Sequence, residues 1–191
     1  WTLLQDRLGR LWAGTWRGGI FRFENDRFVR APEVAAITES VTAFAEDAEG
    51  TLWIGTGTGL ARLRGERLDW FGHDNSPTLP DVRAIALAPD GLVWAGTARH
   101  GLGRLQAGTL RLFGVEDGLP TRSLSTLHFE APDTLWIGTQ GGGLVRLRGS
   151  KFATVGLTNG LPSDTLFHIA DDGSGNLWFS SANGIFRIGK A

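Results

Sequence analysis

The sequence predicts an all-β protein, a β-propeller with five four-stranded blades visible, and three observations predict it. One short Trp-centred motif recurs at nearly constant spacing, the segments between its copies keep the same phase, and no stretch has the long 3.6-residue periodicity of a helical repeat. Leu11-Trp12-Ala13-Gly14-Thr15 returns as Leu52-Trp53-Ile54-Gly55-Thr56, Val93-Trp94-Ala95-Gly96-Thr97 and Leu135-Trp136-Ile137-Gly138-Thr139. A looser copy is Leu177-Trp178-Phe179-Ser180-Ser181, and the tryptophans stand 41, 41, 42 and 42 residues apart. Four short strands per repeat of about 42 residues is the size of a propeller blade.

The elements follow from this frame. Each Trp strand is followed by a glycine-bearing turn and a strand with one arginine in phase: Arg22, Arg62, Arg104, Arg146 and Arg187, within 20–23, 60–63, 102–105, 144–147 and 185–188. A further strand is expected at 27–30, 67–71, 110–113 and 151–155. A loop then leads to an apolar strand at 41–45, 82–87, 124–129 and 166–170, whose weak alternation reads as an innermost strand buried on both faces. Trp1 aligns inside such a strand. The blades are therefore expected at about 1–31, 32–71, 72–114, 115–156 and 157–191, forming one propeller region over 1–191. The last blade lacks its outer strand, so the chain reads as part of a larger propeller of about seven blades.

Bulk properties exclude several classes. The 191 residues carry a formal net charge of −1, with no basic face of the kind that binds nucleic acid. No run of about 18 apolar residues could span a membrane. Cysteine is absent, which excludes disulfides and thiolate metal sites. The oxygen-rich stretch 171–176 has an Ala182 where a calcium loop would need its last glutamate, so no metal and no cofactor is expected.

On these residues the chain resembles a known family. The run from Asp47 and Gly50 through Trp53 and Gly55 to Gly59, Leu60 and Arg62 is similar to a two-component regulator propeller repeat. So is the run from Gly160-Leu161-Pro162 through Asp172 and Asn176-Leu177-Trp178-Phe179 to Ile185-Phe186-Arg187. The Gly-Leu-Pro turn of that signature also stands at Gly118-Leu119-Pro120 and is degraded to Thr78-Leu79-Pro80. The resemblance implies a non-catalytic, ligand-sensing module on the periplasmic or extracellular face of a bacterial inner-membrane receptor. It further implies an immunoglobulin-like domain and a kinase or cyclase output domain downstream, and a small-molecule ligand such as a saccharide. Asn176-Leu177-Trp178-Phe179 also resembles streptogramin lyases, which keeps a propeller enzyme as an alternative. A protein-interaction scaffold or homodimer built through an open strand edge is the other.

The columns kept in every blade, Trp12, Trp53, Trp94, Trp136 and Trp178 with the five arginines, read as structural. Asp6, Asp47, Glu130 and Asp172 stand six residues before their tryptophans and are candidate partners for the arginines, but the third blade has Ala88 there. His128 and His168 fall on inner strands and read as core histidines, while His73 and His100 fall in loops. Recognition is expected where the repeats differ. Trp16, Arg17, Arg99, His100, Arg122 and Gln140 all belong to loops opening on one face, and an exposed aromatic beside hydrogen-bonding side chains suits a sugar ring.

Overall fold

The protein is described by a computed structural model covering residues 1–72 and 77–190, so His73 lies outside the described residues. Blade 1 holds Thr2–Gln5, Leu11–Gly14, Ile20–Glu24 and Arg27–Arg30. Blade 2 holds Val41–Glu46, Leu52–Thr56, Leu60–Arg64 and Arg67–Phe71, and blade 3 Val82–Leu87, Val93–Thr97, Leu102–Gln106 and Thr109–Phe113. Blade 4 holds Leu124–Glu130, Thr134–Thr139, Leu144–Arg148 and Lys151–Val155. Blade 5 is a three-stranded sheet of Leu166–Asp171, Asn176–Ser181 and Gly184–Gly189. Within every blade the strands pair antiparallel in chain order, from inner strand to Trp strand to arginine strand and, in blades 1–4, to outer strand.

Register explains the two repeated columns. Each tryptophan stands directly opposite its arginine: Trp12 and Arg22, Trp53 and Arg62, Trp94 and Arg104, Trp136 and Arg146, Trp178 and Arg187. Cross-strand partners share a face, so the guanidinium lies over the indole at 5.4 Å in blade 1 and 5.7 Å in blade 2. The indole face of each blade packs on the aliphatic face of the next. Trp12 joins Leu52, Ile54 and Leu63; Trp53 joins Val93 and Leu105; Trp94 joins Leu135, Ile137 and Leu147; Trp136 joins Leu177 and Phe179. Trp12 is accordingly 1% exposed, whereas Trp178, whose face meets no further blade among the described residues, is 39% exposed.

Consecutive inner strands pack side by side from blade 1 to blade 5, and the first makes no comparable contact with the fifth, so the described blades form an open arc. The Trp strands of blades 2–4 are buried along their whole length, because neighbouring blades cover both faces. The inner strands depart from expectation. In blade 3, Val82, Ala84 and Ala86 are buried while Arg83 is exposed, because the free side of this strand borders the axis of the arc.

Two further features fix the turns. The motif's final threonine is fully buried in blades 2–4 and fastens the turn that follows it: Thr97 Oγ1 donates to the Gly101 carbonyl at 2.9 Å and accepts the His100 N–H at 2.8 Å. The outer-to-inner connections of blades 3 and 4 form single 3-10 turns, Val115–Asp117 and Leu157–Asn159. Gly118 and Gly160 close these turns in the left-handed region, with φ 113° and 87°, where a side chain would be strained. The chain thereby drives Leu119 and Leu161 into the blade joints, which is what the Gly-Leu-Pro signature does.

Candidate functional site

The acid that precedes each tryptophan serves the indole, not the repeating arginine. Trp12 Nε1 donates to Asp6 at 2.8 Å, Trp53 to Asp47 at 3.1 Å, Trp136 to Glu130 at 2.7 Å and Trp178 to Asp172 at 3.1 Å. In the three aspartates the second oxygen caps the turn, as where Asp47 Oδ1 accepts the Glu49 and Thr51 backbone N–H groups. Burial works to raise the carboxyl of Asp6, but hydrogen bonds from Trp12 and Arg10 outweigh it and hold it below the usual range. Glu130 is lowered in the same way, burial being outweighed by Trp136 and Lys190. Hydrogen bonds from Asn176, the Ser174 backbone and Trp178 hold Asp172 far below the usual range. Two of the arginines find carboxylates elsewhere: Arg22 pairs with Glu24 and Glu33, and Arg62 with Asp69 at 2.8 Å.

Blade 3 alone lacks the acid at its indole, and it differs from blade 2 at the arginine as well. Its inner-to-Trp turn has the same backbone form as in blade 2. Ala88 donates to the Leu92 carbonyl at 2.9 Å as Asp47 does to Thr51 at 3.1 Å, but Ala88 carries no carboxylate. The Trp94 Nε1 hydrogen is therefore buried without a hydrogen-bond acceptor among the described residues. Across the sheet, the place that Asp69 holds opposite Arg62 is taken by Arg111 opposite Arg104. Among the described residues Arg104 has no carboxylate partner, and Arg111 reaches only Asp117, at 3.9 Å. Both guanidinium groups lie against the Phe113 ring, at 5.7 Å and 4.5 Å.

A groove opens beside these residues, between blades 3 and 4. Its larger part, about 470 Å³, is walled by Ala88, Leu92, Trp94, Phe129, Leu135 and Leu147, with Arg104 at one side. A smaller recess of about 110 Å³ shares Trp94 and Arg104 and runs on to Arg111 and Phe113. Asp90 and Asp133 stand at the border, the first accepting the Leu92 N–H and the second paired with Arg148. The groove lies at the end of the blades where inner strand turns into Trp strand.

The six residues expected from the loops lie at the opposite end. There the turn after the Trp strand of blades 1–4 is stitched to the loop entering the next inner strand, as by Gly141 N–H to the Asp164 carbonyl and Asp81 N–H to the Gly57 carbonyl. Trp16 is 56% exposed and stacks on Trp1 with centroids 4.9 Å apart, and the Arg17 guanidinium lies 5.9 Å from its ring. Arg99 pairs with Asp81 at 2.8 Å and Arg122 with Glu116 at 2.7 Å, while Gln140 accepts the Ser123 hydroxyl at 3.2 Å. His100 is anchored through its backbone to Thr97. The six are spread over blades 1, 3 and 4, and none of them borders the groove. The two inner-strand histidines are not core residues. His168 is exposed and His128 is partly exposed, with Nε2 3.2 Å from Asp171. These strands were expected to be buried on both faces, but their free side borders the axis, and each also carries a register shift, between Leu166 and His168 and between Leu124 and Thr126.

Residues 37–58, which hold the inner and Trp strands of blade 2, match the family described as two component regulator propeller. The chain carries a two component regulator propeller repeat. Solved structures share the whole arc of this propeller. The extracellular domain assigned to the hybrid two component system BT3049 of B. thetaiotaomicron superposes with a TM-score of 0.82 at 24% identity, over 98% of this chain and 28% of that one. That assigned to the one component system BT4673 of the same organism gives 0.79 at 19%, over 97% and 29%. Virginiamycin B lyase from Staphylococcus aureus gives 0.73 at 16%, over 98% and 68%. At these identities the likeness shows the fold. The propeller thus spans less than a third of the two B. thetaiotaomicron domains. No curated protein sequence matches the chain. No helix among the described residues is long and apolar enough to cross a membrane.

Proposed function

We propose that the chain is a ligand-sensing, non-catalytic propeller module of a bacterial signal-transduction receptor, held on the periplasmic or extracellular face of the inner membrane. The observation that carries this reading is the repeat itself. Five in-phase blades include a two component regulator propeller match, and the arc superposes on extracellular domains assigned to such systems. In the parent protein an immunoglobulin-like domain and a kinase or cyclase would relay the signal. The invariant Trp and Arg columns build the frame, which leaves recognition to the unequal turns.

On the loop face the Trp1–Trp16 pair is an aromatic plate with Arg17 beside it, a surface suited to the apolar side of a sugar ring, with Arg99, His100, Arg122 and Gln140 as further hydrogen-bonding groups on that face. A glycan array and a thermal-shift screen with neutral saccharides test the reading on the chain. A saccharide that binds the chain and is lost in folded Trp16→Ala supports it; no hit, or a hit indifferent to Trp16→Ala, refutes it. The lyase likeness favours one competing reading, and turnover of a streptogramin by the chain would replace the sensor reading with an enzymatic one.

A further inference from the structure

We propose that the groove between blades 3 and 4 is a binding site for a small amphipathic carboxylate, whose carboxylate accepts the Trp94 indole N–H and faces the Arg104 guanidinium while its apolar body lies against Leu92, Phe129 and Leu135. The site is at the opposite end of the blades from the loop tips and does not rest on the sensor reading.

Three observations converge on it. The first is chemical homology within the chain: at the equivalent point of the other four blades a carboxylate oxygen lies 2.7–3.1 Å from the indole nitrogen. Blade 3 keeps the turn and the indole and lacks only the acid, so a carboxylate that displaces the atoms shielding Trp94 Nε1 would meet the donor that the other blades already use. The second is the imbalance that results. A buried donor without an acceptor is costly, and Trp94 Nε1 is one. Beside it Arg104 and Arg111 stand opposite each other on adjacent strands, a like-charged pair where blade 2 has Arg62 and Asp69. An entering anion would answer the indole and the arginines together through charge-assisted hydrogen bonds. The third is space. The equivalent region of blade 3 opens into about 470 Å³, within the range of small-molecule sites, and its walls are aliphatic and aromatic. Asp90 and Asp133 at the border are held by the Leu92 N–H and by Arg148, and the apolar walls with the indole and Arg104 at one side select an acid with a hydrophobic body over a free inorganic anion.

The test uses phenylpropionate as probe, with phenylpropanol and acetate as comparators. Binding is followed by calorimetry and by the ¹⁵N–¹H signal of the Trp94 indole, assigned by its loss in Trp94→Phe. The proposal expects saturable binding of phenylpropionate with a downfield shift of that one indole proton, and binding of either comparator at least roughly tenfold weaker. Ala88→Asp, which supplies the carboxylate from within the chain, should abolish the shift on a folded protein. Arg104→Gln should weaken binding by roughly tenfold or more. Three results would overturn the proposal: no saturable binding of phenylpropionate, equal binding of acetate, or binding undiminished in both variants.

Discussion

Ala88→Asp should stabilise this protein, although it places a charge beside a blade joint. In the wild type the Trp94 Nε1 hydrogen is buried without an acceptor, a condition that costs about 1–3 kcal/mol. The substitution would bring a carboxylate to the point that Asp6, Asp47 and Asp172 occupy in their own turns, where one oxygen takes the indole and the other the turn N–H groups. Desolvation of the new carboxyl and competition with Asp90 for the Leu92 N–H offset part of the gain. Arg104 and Arg111, lacking close carboxylates, add to it. A net gain of about 1–2 kcal/mol is expected, which for a chain of this size is a rise in Tm of about 3–6 °C. Urea unfolding followed by tryptophan fluorescence, with thermal melts by circular dichroism, measures it. Asp47→Ala is the mirror experiment and should lose a similar amount. If folded Ala88→Asp is neutral or less stable, the cost assigned to the unpartnered indole is wrong.

Three other outcomes follow from the same contacts. Trp136→Ala removes a nearly buried indole from the joint with Leu177 and Phe179 and should cost about 3–5 kcal/mol, with hydrogen-exchange protection lost chiefly in blades 4 and 5. Thr97→Val leaves the Gly101 carbonyl and His100 N–H without their shared hydroxyl and should lower stability by about 1–2 kcal/mol in the same urea assay. Asp6, Glu130 and Asp172 have carboxyls lowered by folding, so their contribution is complete above the ordinary carboxylate range and is lost as pH falls through the lowered values. The urea midpoint should therefore hold steady down to about pH 5 and drop below about pH 4, and a midpoint unchanged at about pH 3 would refute this account.

The blades were legible because their signal is redundant. Five copies of a Trp strand in one phase fix the strand order, and the arginine strand follows from its turn. What each column does was less legible. The acids were read as partners of the arginines, yet a spacing of six residues brings Asp47 round the turn to Trp53 Nε1, and only register shows that Arg62 instead faces Asp69. The histidines were misplaced because the inner strands were read as buried on both faces, whereas one side of them borders the axis and leaves positions such as His168 exposed. The groove was the least visible feature, since its walls come from turns and strands of two blades. Its trace in the sequence was a single exception, Ala88 in a column of acids. That exception acquires meaning only when Trp94 is found buried and Arg111 is found opposite Arg104.

The most direct measurement is the ¹⁵N–¹H spectrum of the tryptophan indoles in the wild type and in Ala88→Asp. The structure predicts that Trp12, Trp53, Trp136 and Trp178 give downfield, hydrogen-bonded indole protons, that Trp94 lies apart from them upfield, and that the substitution moves Trp94 alone to join them. A Trp94 proton already downfield in the wild type, or one that does not move in the variant, would contradict the distinction between blade 3 and its neighbours on which the groove site depends.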